Sequence, residues 1–221
     1  MASYPINKTE TVTRGRKLPS NLENPFDDAL IDLFSWIHPG LYAIGATPNS
    51  LTVVSGVFLL ASLVALYESY FLLSAVLYIV GYSFDVFDGN FARIYGMVST
   101  HGDLLDHVKD ILVVAGIYLV IILHENIPHA WKIAFVVTSL FLSAVVGVFV
   151  GCQEIYYYQR EGKVPKGSAF LSPFRKMCVE GRGPDVETKL AILRWGGLGT
   201  WVFFYVTFVM VLGVVTVRKQ T

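Results

Sequence analysis

The chain has 221 residues, of which 54% are hydrophobic and only 15% charged, against about a quarter charged in a typical soluble domain. With a mean hydropathy of +0.55, this composition excludes an ordinary soluble globular domain and places the chain among membrane proteins. The formal net charge is zero, so no global basic field points to nucleic acid as a partner.

Residues 1–24 are polar and carry Lys8, Arg14, Arg16 and Lys17 with no apolar stretch behind them. They read as a disordered cytoplasmic tail rather than a signal peptide. Residues 25–45 place Phe26, Leu30, Ile31, Leu33, Phe34, Trp36 and Ile37 at helical spacing, interrupted by Asp27, Asp28 and Asp32. That pattern predicts an amphipathic helix lying in the membrane surface, with a short helix packed in a soluble cap as the alternative. Residues 46–221 form a transmembrane domain, so the expected fold is all-α: a polytopic bundle of five to six spans behind an interfacial helix.

The spans are predicted at residues 50–67, 70–92, 102–123 and 130–150, the last continuing helically towards residue 158. A final apolar stretch, 190–217, exceeds the roughly 20 residues a crossing needs. It either tilts or breaks at Gly196-Gly197. Loops fix the sidedness. Glu68-Ser69 and 125–129 carry no Lys or Arg, whereas 151–185 carries Arg160, Lys163, Lys166, Arg175, Lys176 and Arg182. Positive charge therefore marks the N-terminus and the 151–185 loop as cytoplasmic, and the count of spans puts the 95–101 turn on the same side. Arg218 and Lys219 join that side if the last stretch is two spans, which favours six. Cys152 and Cys178 lie 26 residues apart with no CxxC or Cys/His spacing and are expected as two reduced thiols.

One segment stands out against this apolar background. Asp85-Val86-Phe87-Asp88-Gly89-Asn90-Phe91-Ala92-Arg93 is followed, after eight residues, by Gly102, then Asp106 and Asp110. Four unpaired aspartates at a membrane centre would cost about 10–14 kcal/mol, so the default reading is a functional site with a counter-ion. Asp85 and Asp88 are three apart, and Asp106 and Asp110 four apart, so each pair shares one face of its helix. A short turn makes the two helices antiparallel neighbours and brings the pairs together. Carboxylates so close need cations to stay ionised. Hard oxygen donors of this kind suit two divalent cations, Mg²⁺ or Mn²⁺, able to clamp a diphosphate. Gly89 lets a ligand approach the backbone; Arg93 can grip phosphate bidentately; Gly102 permits close helix packing or ligand entry. The competing readings are an acidic relay of an ion-binding transporter and a set of solvated loop acids.

The pattern D-x2-D-G-x2-A-R-x8-G-x3-D-x3-D resembles the signature of the CDP-alcohol phosphotransferase (CDP-alcohol phosphatidyltransferase) family. Asp85, Asp88, Gly89, Ala92, Arg93, Gly102, Asp106 and Asp110 match all its fixed positions. Thr47-Pro48-Asn49-Ser50-Leu51-Thr52 similarly resembles the family's Pro-Asn-x-x-Thr segment. The resemblance implies a six-helical membrane enzyme of phospholipid synthesis that moves a substituted phosphoryl group from a CDP-alcohol to an acceptor alcohol and releases CMP. It implies that Asp85, Asp88 and Asp106 hold two divalent cations with Asp110 beside them, and that Asp110 is also the general base. Gly89, Arg93 and Gly102 would line the CDP site, with Asn49 and Thr52 on its diphosphate or cytidine side. The partners are then a CDP-alcohol donor, an alcohol acceptor and membrane lipids, and a homodimer is compatible with the pattern. The site would face the cytoplasm, at the endoplasmic reticulum if the source is eukaryotic.

Substrate choice divides two ways. The short chain favours CDP-diacylglycerol as donor. The alternative is CDP-choline or CDP-ethanolamine with diacylglycerol as acceptor. It is suggested by Leu105-Asp106-His107 and by a first span, residues 48–55, that lacks an arginine. Among the remaining polar residues, His107 reads as an ordinary helix position, Lys109 as a neutraliser of a nearby acid, and Arg175, Lys176 and Arg182 as topogenic charge. Glu154 with residues 156–158 reads as an interface belt, and Gly196, Gly197 and Gly199 as packing or break positions.

Overall fold

The computed structural model describes residues 15–160, 171–179 and 185–217, and every regular element among them is helical. Lys8, Arg14, Lys163, Lys166, Arg182, Arg218 and Lys219 lie outside the described residues. In chain order the helices are α1 (Pro25–Phe34), α2 (His38–Ala43), α3 (Pro48–Tyr67), α4 (Phe71–Ile94), α5 (Thr100–Leu123), α6 (His129–Arg160), α7 (Ser172–Val179), α8 (Val186–Leu193) and α9 (Leu198–Val217).

Local chemistry explains the boundaries. Thr47 and Ser50 close a reciprocal capping box at the start of α3, with Pro48 in the first turn. The α3–α4 turn passes through Ser69 at φ 65°, and the Tyr70 N–H returns to the Ala65 carbonyl at 2.8 Å. Gly96 does the same after α4 with φ 65°, where the Met97 N–H bonds the Ala92 carbonyl at 2.8 Å; glycine adopts that conformation without a Cβ clash. Ser99 then caps α5 by accepting from the Gly102 N–H at 3.1 Å. The first turn makes α3 and α4 antiparallel neighbours, and α3 packs on both α4 and α5; the direct packing of α4 on α5 expected from the sequence gives way to packing of each on α3.

The predicted single helix over 25–45 is instead two helices joined by a 3₁₀ turn at Ser35–Ile37. Pro39 sits in the first turn of α2 and starts a new helix there. The last apolar stretch does break at the predicted glycines. Its first piece, α8, has only 8 residues, about 12 Å of helix, which cannot cross a hydrocarbon core of about 30 Å. The described residues therefore give this stretch one crossing helix rather than two.

The chain divides into two compact units, Leu30–Leu140 with Val202–Thr221 and Met1–Ala29 with Phe141–Trp201. In the first unit, α3 shows why the bundle belongs in a bilayer. Val53, Val57, Leu60 and Val64 recur at helical spacing and are more than half exposed, while Ser55 and Ser62 on the inner face are fully buried. An apolar rim around small polar residues suits lipid rather than water. Inside, the Ser62 hydroxyl donates to the Ser74 carbonyl at 2.8 Å. Leu59 packs where any side chain at Gly81 would stand. Four stretches are long and apolar enough to cross a membrane: Pro48–Tyr67, Phe71–Ile94, His129–Arg160 and Val186–Thr216. Helix α5 is as long as α4, but its first three turns carry Asp103, Asp106, Lys109 and Asp110.

In the second unit, Leu18, Leu22, Phe149, Cys152, Ile155, Cys178 and Leu190 form a buried core. Leu18 and Leu22 thus belong to packed structure, although the sequence places them in a polar tail. Cys152 and Cys178 form a disulfide with Cα atoms 5.3 Å apart, which corrects the expectation of two reduced thiols. Asn24 is fully buried; its amide donates to the Arg194 carbonyl at 2.7 Å and to Thr200 Oγ1 at 3.0 Å. Gly197 and Gly199 make room for it, since a Cβ on either would lie within 2.8 Å of Asn24 atoms. Glu154 accepts from Arg175 at 2.8 Å, so Arg175 is half of an ion pair.

Candidate active site

Three helix segments build the site: the first two turns of α3, the second half of α4 and the first half of α5. Helical periodicity puts Asp85 and Asp88 on the α4 face that meets α3 and α5. Phe87 and Phe91, on a neighbouring face, are buried with Leu51 and packed against by Phe34, Ile37 and Leu41. That apolar patch anchors α4 while leaving the carboxylates to each other. One oxygen each from Asp85, Asp88 and Asp106 falls within a mutual 4.8 Å.

Asp88 is the deepest of the three, 4% exposed. Its Oδ2 accepts the Thr52 hydroxyl at 2.5 Å, and the same hydroxyl lies 3.0 Å from the Pro48 carbonyl. Thr52 is itself buried, so the Pro-Asn-x-x-Thr segment of α3 supplies the donor that orients Asp88. Asn49 meets Gly102 across the α3–α5 junction. A Cβ at Gly102 would lie 2.8 Å from Asn49 Oδ1 and 3.1 Å from Ser99 Oγ. The glycine therefore permits the two helix starts to touch. Gly89 plays a related part for Arg93, whose Nη1 would be 3.3 Å from a Cβ there; the guanidinium folds back over the backbone of its own helix.

Lys109 is more central than its sequence position suggests. Its ammonium contacts Asp85, bonds Asp106 Oδ1 at 2.7 Å and lies 3.3 Å from Asp110 Oδ1. Asp110 stands outside the tight triad and is about half exposed. His107 is turned elsewhere: its Nδ1 is 2.6 Å from the Asp103 carbonyl on an exposed face. His38, which the sequence did not single out, is buried against the same aromatic patch, 4.3 Å from the Phe87 ring and 5.6 Å from Phe91. Its Nε2 has no hydrogen-bond partner among the described residues, and burial pushes its imidazole down to about 4. The only sequence signal for it was an imidazole on the apolar side of an amphipathic helix.

Comparison with protein families gives one further observation. A family model described as CDP-alcohol phosphatidyltransferase matches residues 46–217. The chain belongs to the CDP-alcohol phosphatidyltransferase family. Comparison with curated proteins and with solved structures returns no match. The matched region opens at the cap of α3 and contains the whole site, while α1 and α2 precede it. Family membership and the apolar helices make the chain an integral membrane phosphotransferase of phospholipid synthesis, from a family that uses divalent cations. The donor set fits such an ion. Asp85, Asp88 and Asp106 present hard oxygens at mutual reach, and Lys109 brings a single positive charge to four carboxylates, leaving a deficit that a divalent cation would fill.

Proposed function

We propose that this CDP-alcohol phosphatidyltransferase transfers a phosphatidyl group from CDP-diacylglycerol to a small hydroxylated acceptor and releases CMP, with two Mg²⁺ or Mn²⁺ ions held by Asp85, Asp88, Asp106 and Asp110. The observation that supports the reading most is the oxygen triad of Asp85, Asp88 and Asp106 within a region that matches the family. When bound, the ions neutralise the diphosphate and the charge that develops during phosphoryl transfer.

The chain's own residues do the rest. Thr52 holds the Asp88 carboxylate in one orientation. Asn49 and Gly102 set the α3–α5 junction at which the cytidine end of the donor would enter. Arg93, with no Cβ at Gly89 in its way, can turn its planar fork to a phosphate oxygen. Asp110, outside the triad and half exposed, takes the proton from the acceptor hydroxyl as the new phosphate ester forms and the bond to CMP breaks. The site faces the cytoplasm, because the described Arg160, Arg175 and Lys176 mark that side.

A second reading exchanges the donor for CDP-choline or CDP-ethanolamine and makes diacylglycerol the acceptor. Asp106-His107 and an α3 start without arginine favour it, although His107 bonds only its own helix. A panel of both donor classes and their acceptors, given to the purified protein and read by CMP release, separates them. Release with CDP-diacylglycerol alone supports the first reading; release only with the aminoalcohol donors replaces it by the second.

A further inference from the structure

The triad that fits a divalent cation is also the seat of an ammonium. Two of its three members, Asp85 and Asp106, bond Lys109 directly, while Asp88 takes its hydrogen bond from Thr52 instead. Lys109 also reaches Asp110 at 3.3 Å, so one side chain touches three of the four aspartates. Its side chain is only 9% exposed. The stem crosses Gly56 of α3, where a Cβ would lie 3.6 Å from Cγ and 3.7 Å from Cδ. That is ordinary van der Waals contact. It does not wedge the stem in place, and a four-carbon chain can swing its head away.

Carboxylate oxygens that ligate Mg²⁺ or Mn²⁺ do so at about 2.0–2.2 Å. An ammonium bonded to the same two carboxylates would then stand a few ångströms from a doubly charged ion in a partly buried, weakly screened setting. Ammonium and ion repel each other across Asp85 and Asp106 and compete for the charge of their oxygens. We propose that Lys109 is a tethered cation that competes with the metal: it neutralises the carboxylates in the metal-free protein and is expelled from Asp85 and Asp106 when the ion binds. This rests on the proposed metal role of the four aspartates and goes beyond it. The lysine lowers metal affinity and stabilises the metal-free fold, and loading the ion frees an ammonium at the rim of the site, next to Asp110.

The test uses the purified full-length chain in detergent. Lys109→Met keeps the stem and removes the charge. Mn²⁺ binding is followed by calorimetry, and unfolding is followed in chelator and in saturating Mn²⁺. Lys109→Met should bind Mn²⁺ about tenfold or more tightly than the parent, a coupling of ordinary allosteric size. It should also melt earlier in chelator, so that Mn²⁺ raises its melting temperature by more than the parent's. A purely structural lysine would lower both melting temperatures and leave the Mn²⁺ affinity unmoved. Lys109→Gln serves if the methionine variant does not fold without metal, and the same gain is expected. In the unaltered chain, Lys109 should be shielded from a small amine-modifying reagent in chelator and react in Mn²⁺, read by peptide mass spectrometry. Equal or weaker Mn²⁺ binding by the variants, or equal shielding in both conditions, overturns the proposal and leaves the metal role of the aspartates standing. Absence of Mn²⁺ binding by parent and variants alike overturns both.

Discussion

Thr52→Val isolates a single hydrogen at the centre of the site. The substitution keeps the side chain's volume and removes only the hydroxyl that donates to Asp88 Oδ2 at 2.5 Å. Both residues are 4% exposed, so water cannot replace the lost donor without entering the bundle. A hydrogen bond to a charged group contributes about 1.5–3 kcal/mol, equivalent to about 10- to 150-fold in an equilibrium constant. Partners that orient a metal ligand typically carry about 10- to 100-fold of affinity or activity, so the two ranges agree. The expected outcome is a Mn²⁺ affinity about 10- to 100-fold below the parent's, with CMP release recovering in part at high Mn²⁺. Thr52→Ser restores the donor and should stay within about threefold, well inside that range. The measurement is CMP release against Mn²⁺ concentration, alongside calorimetric binding. A Thr52→Val protein with the parent's Mn²⁺ affinity would refute the claim that Asp88 is a metal ligand oriented by Thr52.

Arg93→Lys keeps the charge and loses the planar fork; donor binding should weaken while the melting temperature holds, and an unchanged apparent affinity removes Arg93 from the diphosphate site. Asp110→Asn should lower turnover by about 10²–10⁴-fold, the usual contribution of a general base, with donor binding retained in saturating metal, whereas Asp85→Asn should impair both; near-parental turnover of Asp110→Asn places the base elsewhere. His38 links stability to pH. Unfolded histidine titrates near about 6.5 and the buried imidazole near 4, so its contribution is complete above about pH 6.5 and is lost as pH falls from there towards about 4. The melting temperature of the parent should decline across that window more steeply than that of His38→Leu, and parallel curves would clear His38 of that role.

The helix ends and the carboxylate triad were legible because helical periodicity fixes which residues share a face, and the short 95–101 turn keeps the end of α4 close to the start of α5. Asp85, Asp88 and Asp106 meet as their spacing predicts. Thr52 and Gly102 also meet partners within the site. What the sequence could not reveal depended on contacts between distant segments. Lys109 reads in the sequence as a neutraliser of a nearby acid, but its reach to three aspartates emerges only where the crossing of α3 and α5 lays its stem over Gly56. Cys152 and Cys178 carry no spacing signal, and only the return of α7 onto α6 brings them together. Asn24 reads as part of a polar tail, yet it is fixed by Arg194 and Thr200, 170 and 176 residues away. The glycine break at residues 196–197 was visible in the composition. The shortness of α8, which decides against a further crossing, was not.

Metal-dependent CMP release tests the catalytic role of the aspartates most directly. Purified protein in lipid nanodiscs, supplied with a CDP-alcohol and its acceptor, should release CMP in Mg²⁺ or Mn²⁺, stop in excess chelator and resume when the ion is restored. Undiminished CMP release in excess chelator would contradict a metal-holding role for Asp85, Asp88 and Asp106.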